Sequence, residues 1–167
     1  MTKSHHYRAR MEWVGNRGEG TSDYRAYDRD HVVTFPGKTP LIGSSDPEFR
    51  GNPARYNPEE LLVAILSSCH MLWYLHLCAD AGIVVEQYTD DAEGVMESGP
   101  DGSGRFTRVT LHPKVTISRG SPTHATELHE RAHRMCYIAN SVNFLVGHEP
   151  STTMVDSSHL TTPPDRR

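Results

Sequence analysis

From Leu61 to Ala79 the chain runs for 19 residues, LLVAILSSCHMLWYLHLCA, without a formal charge. A stretch of that length is either a membrane span, which needs about 20 apolar residues, or a helix covered by other protein. Its content favours the second. Ser67, Ser68, His70 and His76 lie inside it, and its flanks NPEE and DAG carry no Lys or Arg to set an orientation. The expectation is a buried helix of a soluble protein, with no membrane partner. Apolar side chains from Leu61 to Leu77 fall around nearly the whole circumference, so the helix needs cover on every side.

The rest of the chain is poor in covering material. Only 36% of its 167 residues are hydrophobic, and one such chain is hard pressed to sheathe a central helix. A dimer in which two of these helices pack together under the sheets of both chains solves the problem. The length predicts a single domain, residues 1–156, followed by a polar tail over residues 157–167. Seventeen Lys and Arg against 21 Asp and Glu give a net charge of −4, which argues against a nucleic-acid binder. MTKSHHYRAR lacks the apolar core of a secretory signal, and the three cysteines form no CxxC pair. A cytoplasmic protein is expected.

Tyr7, Ala9, Met11 and Trp13 alternate with polar residues, the period of a half-buried strand. GNRGEG (Gly15–Gly20) follows as a glycine-rich turn with Arg17 in its middle. Tyr24–Tyr27, His31–Phe35 and Pro40–Ile42 read as short strands, and Gly43–Tyr56 as a loop. Asn57 suits the N-cap of the long helix, Pro58 its first position, and Glu59 and Glu60 its first turn. Gly82 stands where a C-terminal stop belongs.

Ile83–Met96 is strand material, and ESGPDGSGR a hairpin connection. Val109, Leu111, Pro113, Val115 and Ile117 alternate with polar residues as one strand, placed near an edge by its proline. Ser121-Pro122 opens a second helix with an apolar stripe of Ala125, Leu128, Ala132, Met135 and Ala139. Asn143–Val155 holds a last strand. Strands, helix, strands, helix, strand is an α+β order.

Three chemistries compete. Cys69, in the middle of the first helix, and Cys136, on the second, each read alone as a small buried hydrophobe. Together they can form a peroxidatic and resolving pair. A peroxidatic thiol needs a lowered pKa, for which Arg17 is the candidate donor. His129-Glu130-Arg131-Ala132-His133 matches HExxH, the helical zinc-protease motif. In a chain with 11 histidines such a match arises by chance about one time in twenty. Its third ligand is missing, with only Glu149 nearby, so a solvated helix face and no metal are expected.

The motifs reached so far resemble the OsmC/Ohr family, the osmotically inducible protein C and organic hydroperoxide resistance proteins. Asn57-Pro58-Glu59-Glu60-Leu61-Leu62, running to Ser68-Cys69-His70-Met71, is similar to the family's helix, with its reactive Cys ten residues after the first Glu. Gly15-Asn16-Arg17-Gly18-Glu19-Gly20-Thr21 resembles its arginine loop, and Ala132-His133-Arg134-Met135-Cys136 its second-cysteine segment. The resemblance implies an OsmC/Ohr-like intertwined homodimer, with two central helices packed against antiparallel-rich sheets. It also implies a thiol peroxidase without a bound cofactor, acting on organic hydroperoxides and recycled by a dithiol reductant such as the lipoyl group of a partner protein.

Carried over by position, Cys69 is the peroxidatic cysteine, Cys136 the resolving one, and Arg17 and Glu59 the polar pair that activates the thiolate. Trp73, Tyr74 and Phe144 are candidates to shape a pocket for an alkyl tail. Ten residues of helix separate Glu59 from Cys69 by about 15 Å, so a contact between them has to come from a partner's helix. The chain departs from the pattern at Tyr137, where many members have Pro, in its long Gly43–Tyr56 loop, and in the extra Cys78. A non-catalytic redox-sensing or small-molecule-binding dimer on the same scaffold is the alternative.

Overall fold

The computed structural model describes residues 3–155; residues 1–2 and 156–167, which include the expected polar tail, lie outside the described residues. The chain divides into two compact units, Met1–Leu62 and Val63–Arg167.

In the first unit β1 (Arg10–Trp13), β2 (His31–Thr34) and β3 (Leu41–Gly43) form an antiparallel sheet in the order β1-β2-β3. Trp13 sets its ring edge-on to Tyr27 at 5.7 Å and donates its Nε1–H to the Asp28 carbonyl at 2.8 Å. The Arg29 guanidinium lies over the rings of Tyr24 and Tyr27, 4.2 and 4.1 Å from their centroids. Two expectations are corrected here. The half-buried strand over Tyr7–Trp13 is shorter and exposed along its length, with Met11 62% exposed, because this small sheet brings no second layer to cover it. Tyr24–Tyr27 is a turn rather than a strand, since the Asp23 carboxylate takes the Arg25 N–H at 2.8 Å and its carbonyl the Ala26 N–H at 3.0 Å.

Helix α1 (Pro58–Asp80) starts and stops as the sequence predicts. Asn57 Oδ1 accepts the Glu60 N–H at 2.7 Å, and Glu60 Oε2 accepts the Asn57 N–H at 3.3 Å, a reciprocal capping box. At the other end Gly82 takes φ +70°, a left-handed conformation that lets the Ile83 N–H reach the Cys78 carbonyl at 2.9 Å. By length and composition α1 is apolar enough to cross a membrane. Its buried residues, Leu66, His70, Tyr74, Leu77 and Cys78, nevertheless recur at helical spacing on one side. On other sides Ile65 is 45% and Leu72 64% exposed, so one chain does not supply the all-round cover the sequence calls for.

The second unit adds β4 (Val84–Asp90), β5 (Glu93–Ser98), β6 (Gly104–Leu111), β7 (Pro113–Arg119), α2 (Pro122–Met135), β8 (Leu145–His148) and β9 (Ser151–Met154). They form two three-stranded sheets, β4-β7-β9 and β5-β6-β8. Within each, one neighbouring pair is antiparallel and the other, β7 with β9 or β6 with β8, is parallel.

The expected single strand through Val109–Ile117 is therefore two, parted at His112, and both are central rather than at an edge. Pro113 is tolerated because it opens β7. Ile83–Met96 breaks in the same way after Asp90, and Asn143–Val155 after His148. All three breaks fall on one line across the sheets. Asp90 Oδ1 accepts the His112 N–H at 2.7 Å, and the Glu149 N–H reaches the Leu111 carbonyl at 2.8 Å, so the crease is stitched by hydrogen bonds.

Ser121 caps α2, accepting the His124 N–H at 3.3 Å, with Pro122 at the first helical position. The core of this unit joins Tyr74, Leu77 and Cys78 of α1 to Ile83, Val115 and Ile117 of the strands and Ala125, Leu128 and Ala132 of α2.

Candidate functional site

The structure brings the two singled-out thiols together. Cys69 comes from the middle of α1, and Cys136 caps the C-terminus of α2, its sulfur accepting the Ala139 N–H at 3.4 Å. Both thiols are free, Cys69 half-buried and Cys136 only 2% exposed. Burial, followed by the neighbouring Cys69 sulfur, pushes the Cys136 pKa up to about 11, against a smaller opposing pull from the Ala139 and Ile138 amides. Cys136 is thus held as a thiol. Cys69 is the less buried residue of the pair. Beside them, Trp73 of α1 meets Tyr137 edge-on at 5.7 Å.

Arg17 and Glu59 belong to the first unit. Asn16 Oδ1 shapes the arginine turn by accepting the N–H groups of Gly18 and Gly20 at 2.8 and 3.0 Å. The Arg17 guanidinium donates to the carbonyls of Arg25 and of Ala26, the latter at 3.2 Å, and lies 3.9 Å from Asp28. It stays half-exposed, with a 51% accessible side chain. Glu59, in the first turn of α1, has a buried Oε2 without a hydrogen-bond partner. Such an oxygen is costly unless a donor reaches it.

The aromatic candidates separate. Tyr74, expected to shape an alkyl pocket, is fully buried and stacked on His129 with ring centroids 3.8 Å apart, so it offers no surface to a substrate. Phe144 pairs with Phe106 at 5.5 Å, and only Trp73 stands next to the thiol-bearing segment.

A further group was not singled out as a site from the sequence. His70 Nε2 and His129 Nδ1 share a hydrogen bond of 2.9 Å, and both residues are essentially inaccessible. His148 of β8 approaches His70 at 5.4 Å between centroids and His133 at 5.5 Å. The expectation that HERAH forms a solvated face is overturned for His129, which is buried among Tyr74 and the α2 stripe. Its spacing of four from Ala125 and three to Ala132 was the available signal. Burial drives the pKa of His70 down to about 4 and that of His129 to about 3, with the neighbouring imidazoles adding to it. Among the described residues no three His, Cys, Asp or Glu side chains are arranged to hold a metal ion.

The OsmC family, described as OsmC-like protein, matches residues 51–147. This chain belongs to the OsmC-like family. An OsmC-like protein of unknown function from Vibrio cholerae is 34% identical, with 88% of this chain and 99% of that one covered at a TM-score of 0.79. An organic hydroperoxide resistance protein from Elizabethkingia anophelis shares the fold at 19% identity and a TM-score of 0.67, covering 92% of this chain and all (100%) of that one. A putative organic hydroperoxide resistance protein from Vibrio cholerae, with captopril in one of its active sites, is 20% identical at a TM-score of 0.61, covering 91% and 94%. No curated protein matches the chain. The α+β fold expected from the OsmC/Ohr resemblance, two helices with antiparallel-rich sheets, is the fold found.

Proposed function

We propose that this OsmC-like protein is a thiol-dependent peroxidase that reduces organic hydroperoxides to alcohols. One observation carries the reading: Cys69 and Cys136 are neighbours, Cys69 half-buried and Cys136 behind it in the interior. An attacking cysteine has to be the more open of such a pair, and a resolving one has to lie next to the sulfenic acid that forms. The Cys69 thiolate attacks the terminal peroxide oxygen. The O–O bond breaks, the alkoxide takes a proton and leaves as the alcohol, and Cys69 becomes a sulfenic acid. The Cys136 thiol then displaces the sulfenic hydroxyl as water, and a Cys69–Cys136 disulfide forms. An external dithiol, a lipoyl group on a partner protein being the implied one, returns both thiols and is itself oxidised to a disulfide.

Arg17 and Glu59 keep in this reading the roles the resemblance gives them, the polar pair that activates the thiolate. The unpartnered Glu59 oxygen and the half-exposed guanidinium are both able to take a further polar partner. The working form is a homodimer, for which the uncovered Ile65 and Leu72 on α1 are the supporting feature. The family match crosses the boundary between the two units, which supports treating them as parts of one OsmC-like domain.

The test is consumption of cumene hydroperoxide, with hydrogen peroxide for comparison, in excess dihydrolipoamide. Wild type should turn over, Cys69→Ser should not, and Cys136→Ser should be oxidised once without cycling. Turnover that survives Cys69→Ser overturns the proposal. Stoichiometric oxidation of wild type without turnover marks a redox sensor instead.

A further inference from the structure

The imidazole cluster lies in the same seam as the thiols. His70 follows Cys69 on α1, and His129 precedes Cys136 by seven residues, two turns of α2. Among the described residues, His70 to His129 is the only hydrogen bond between the two helices. The contact is close-packed, since the Tyr74 ring stacks on His129 with centroids 3.8 Å apart.

It is also incompletely satisfied. His70 Nδ1 and His129 Nε2, the outward nitrogens of the pair, are buried without partners, as are His133 Nδ1 and His148 Nδ1. In a neutral pair one bridging proton lies between the rings, and the second sits on one of the two outward nitrogens. A third proton makes a cation in a place with little to receive it. The groups facing the pair are Tyr74 from α1, His133 and Glu130 from α2, His148 from β8 and Tyr88 from β4. Burial keeps both phenols neutral. Glu130, the one carboxylate, is 67% exposed and stands 3.5 Å from His148 Nε2, at the outer end of the cluster. A buried cation without a near counter-charge is expelled or breaks its surroundings.

We infer that the His70–His129 pair positions the thiol pair: neutral, it holds α2 so that Cys136 sits against Cys69, and a proton taken up by the pair releases Cys136 from that place. The use of this hold in catalysis rests on the peroxidase reading above; the hold itself does not. Both histidines are positioning residues, acting through the helices that carry the sulfurs.

The experiment uses no peroxide, so that its failure and that of the peroxidase reading are separate. Two single-cysteine proteins are compared, one keeping Cys136 (Cys69→Ser with Cys78→Ser) and one keeping Cys78 (Cys69→Ser with Cys136→Ser). Each is labelled with dithiodipyridine, which reacts with thiols in acid as well as at neutral pH. The rate in urea divided by the native rate at the same pH gives the protection of each sulfur.

Below the ordinary histidine pKa of 6.5, Cys136 protection should fall about tenfold per pH unit for each proton taken up on release. Cys78, which lies in the core with Leu77 and Ile117 and is exposed by unfolding of the whole protein, should stay better protected than Cys136 at every pH. His129→Phe, which retains a ring to stack on Tyr74 but cannot titrate, should make the Cys136 slope shallower by about one decade per pH unit. Cys136 protection that stays flat down to pH about 4.5, well below the free imidazole pKa, overturns the inference. So does protection of the same size at Cys136 and Cys78 at each pH, because both sulfurs are then exposed by unfolding of the whole protein. The comparison between the two sulfurs decides even if His129→Phe does not fold.

Discussion

Two contacts one residue apart on α1 tie it to α2, and they are opposites. Cys69 meets Cys136 where one partner is half-buried, while His70 meets His129 where both are sealed. Consecutive helix positions point about 100° apart, so a single step in sequence moves from a half-buried position to the core. In the proposed mechanism the first contact is exchanged for a covalent bond and restored in each cycle. The second, satisfied at one nitrogen of each ring, tolerates little change. Chemistry and support are thus divided between neighbours.

The largest effect that tests this division falls on the thiols. Cys69→Ser should lower hydroperoxide turnover by at least ~10³-fold, about 4 kcal/mol of barrier, and move the urea midpoint little. A large loss of stability would mean that Cys69 is a packing residue after all. His129→Ala should fall first on stability, costing about 3 kcal/mol in urea unfolding, because it leaves a cavity against Tyr74 and strands His70.

Acid should act on the same contact. His70 and His129 have folded pKa values of about 4 and about 3, lowered from 6.5 chiefly by burial. Between pH 6.5 and about 4 the unfolded chain binds protons there that the folded chain refuses. Their full contribution to stability is therefore present above pH 6.5 and declines as the pH falls below it, by about 1.4 kcal/mol per pH unit for each imidazole protonated on unfolding. Urea midpoints at pH 7.5, 6 and 5 measure the slope, which His129→Phe should reduce. Smallest is Ser121→Ala, which removes the cap of α2 away from both contacts. It should cost about 1 kcal/mol in thermal or urea unfolding and leave turnover unchanged.

What the sequence made legible was local or chemical. Asn57, Pro58 and Gly82 mark the ends of α1, and Ser121-Pro122 the start of α2, because caps act on backbone groups within a few residues. The residues left the pairing of Cys69 with Cys136 open and the family resemblance assigned it; in the structure the two sulfurs are neighbours. The corner at His112 was hidden because alternation runs straight through it: Val109 and Leu111 point into one sheet, Val115 and Ile117 into the other, without a break in period. His129 was misread because a charged motif surrounds it, although its spacing matched the apolar stripe. Tyr74 was read as pocket lining because pattern alone does not tell an aromatic core residue from a ligand-facing one. Met11 and Leu72 look like core in the sequence and are exposed in the single chain.

The crease across the second unit has a bearing on how it comes apart. Three chain segments turn the corner together, at Asp91-Ala92, at His112 and at Glu149-Pro150, and each is paired with its neighbour on both sides of the bend. Straightening one would put its register out of step with the other two. The two sheets should therefore melt as one cooperative block with a fixed dihedral between its halves, like a folded card that stiffens along its fold.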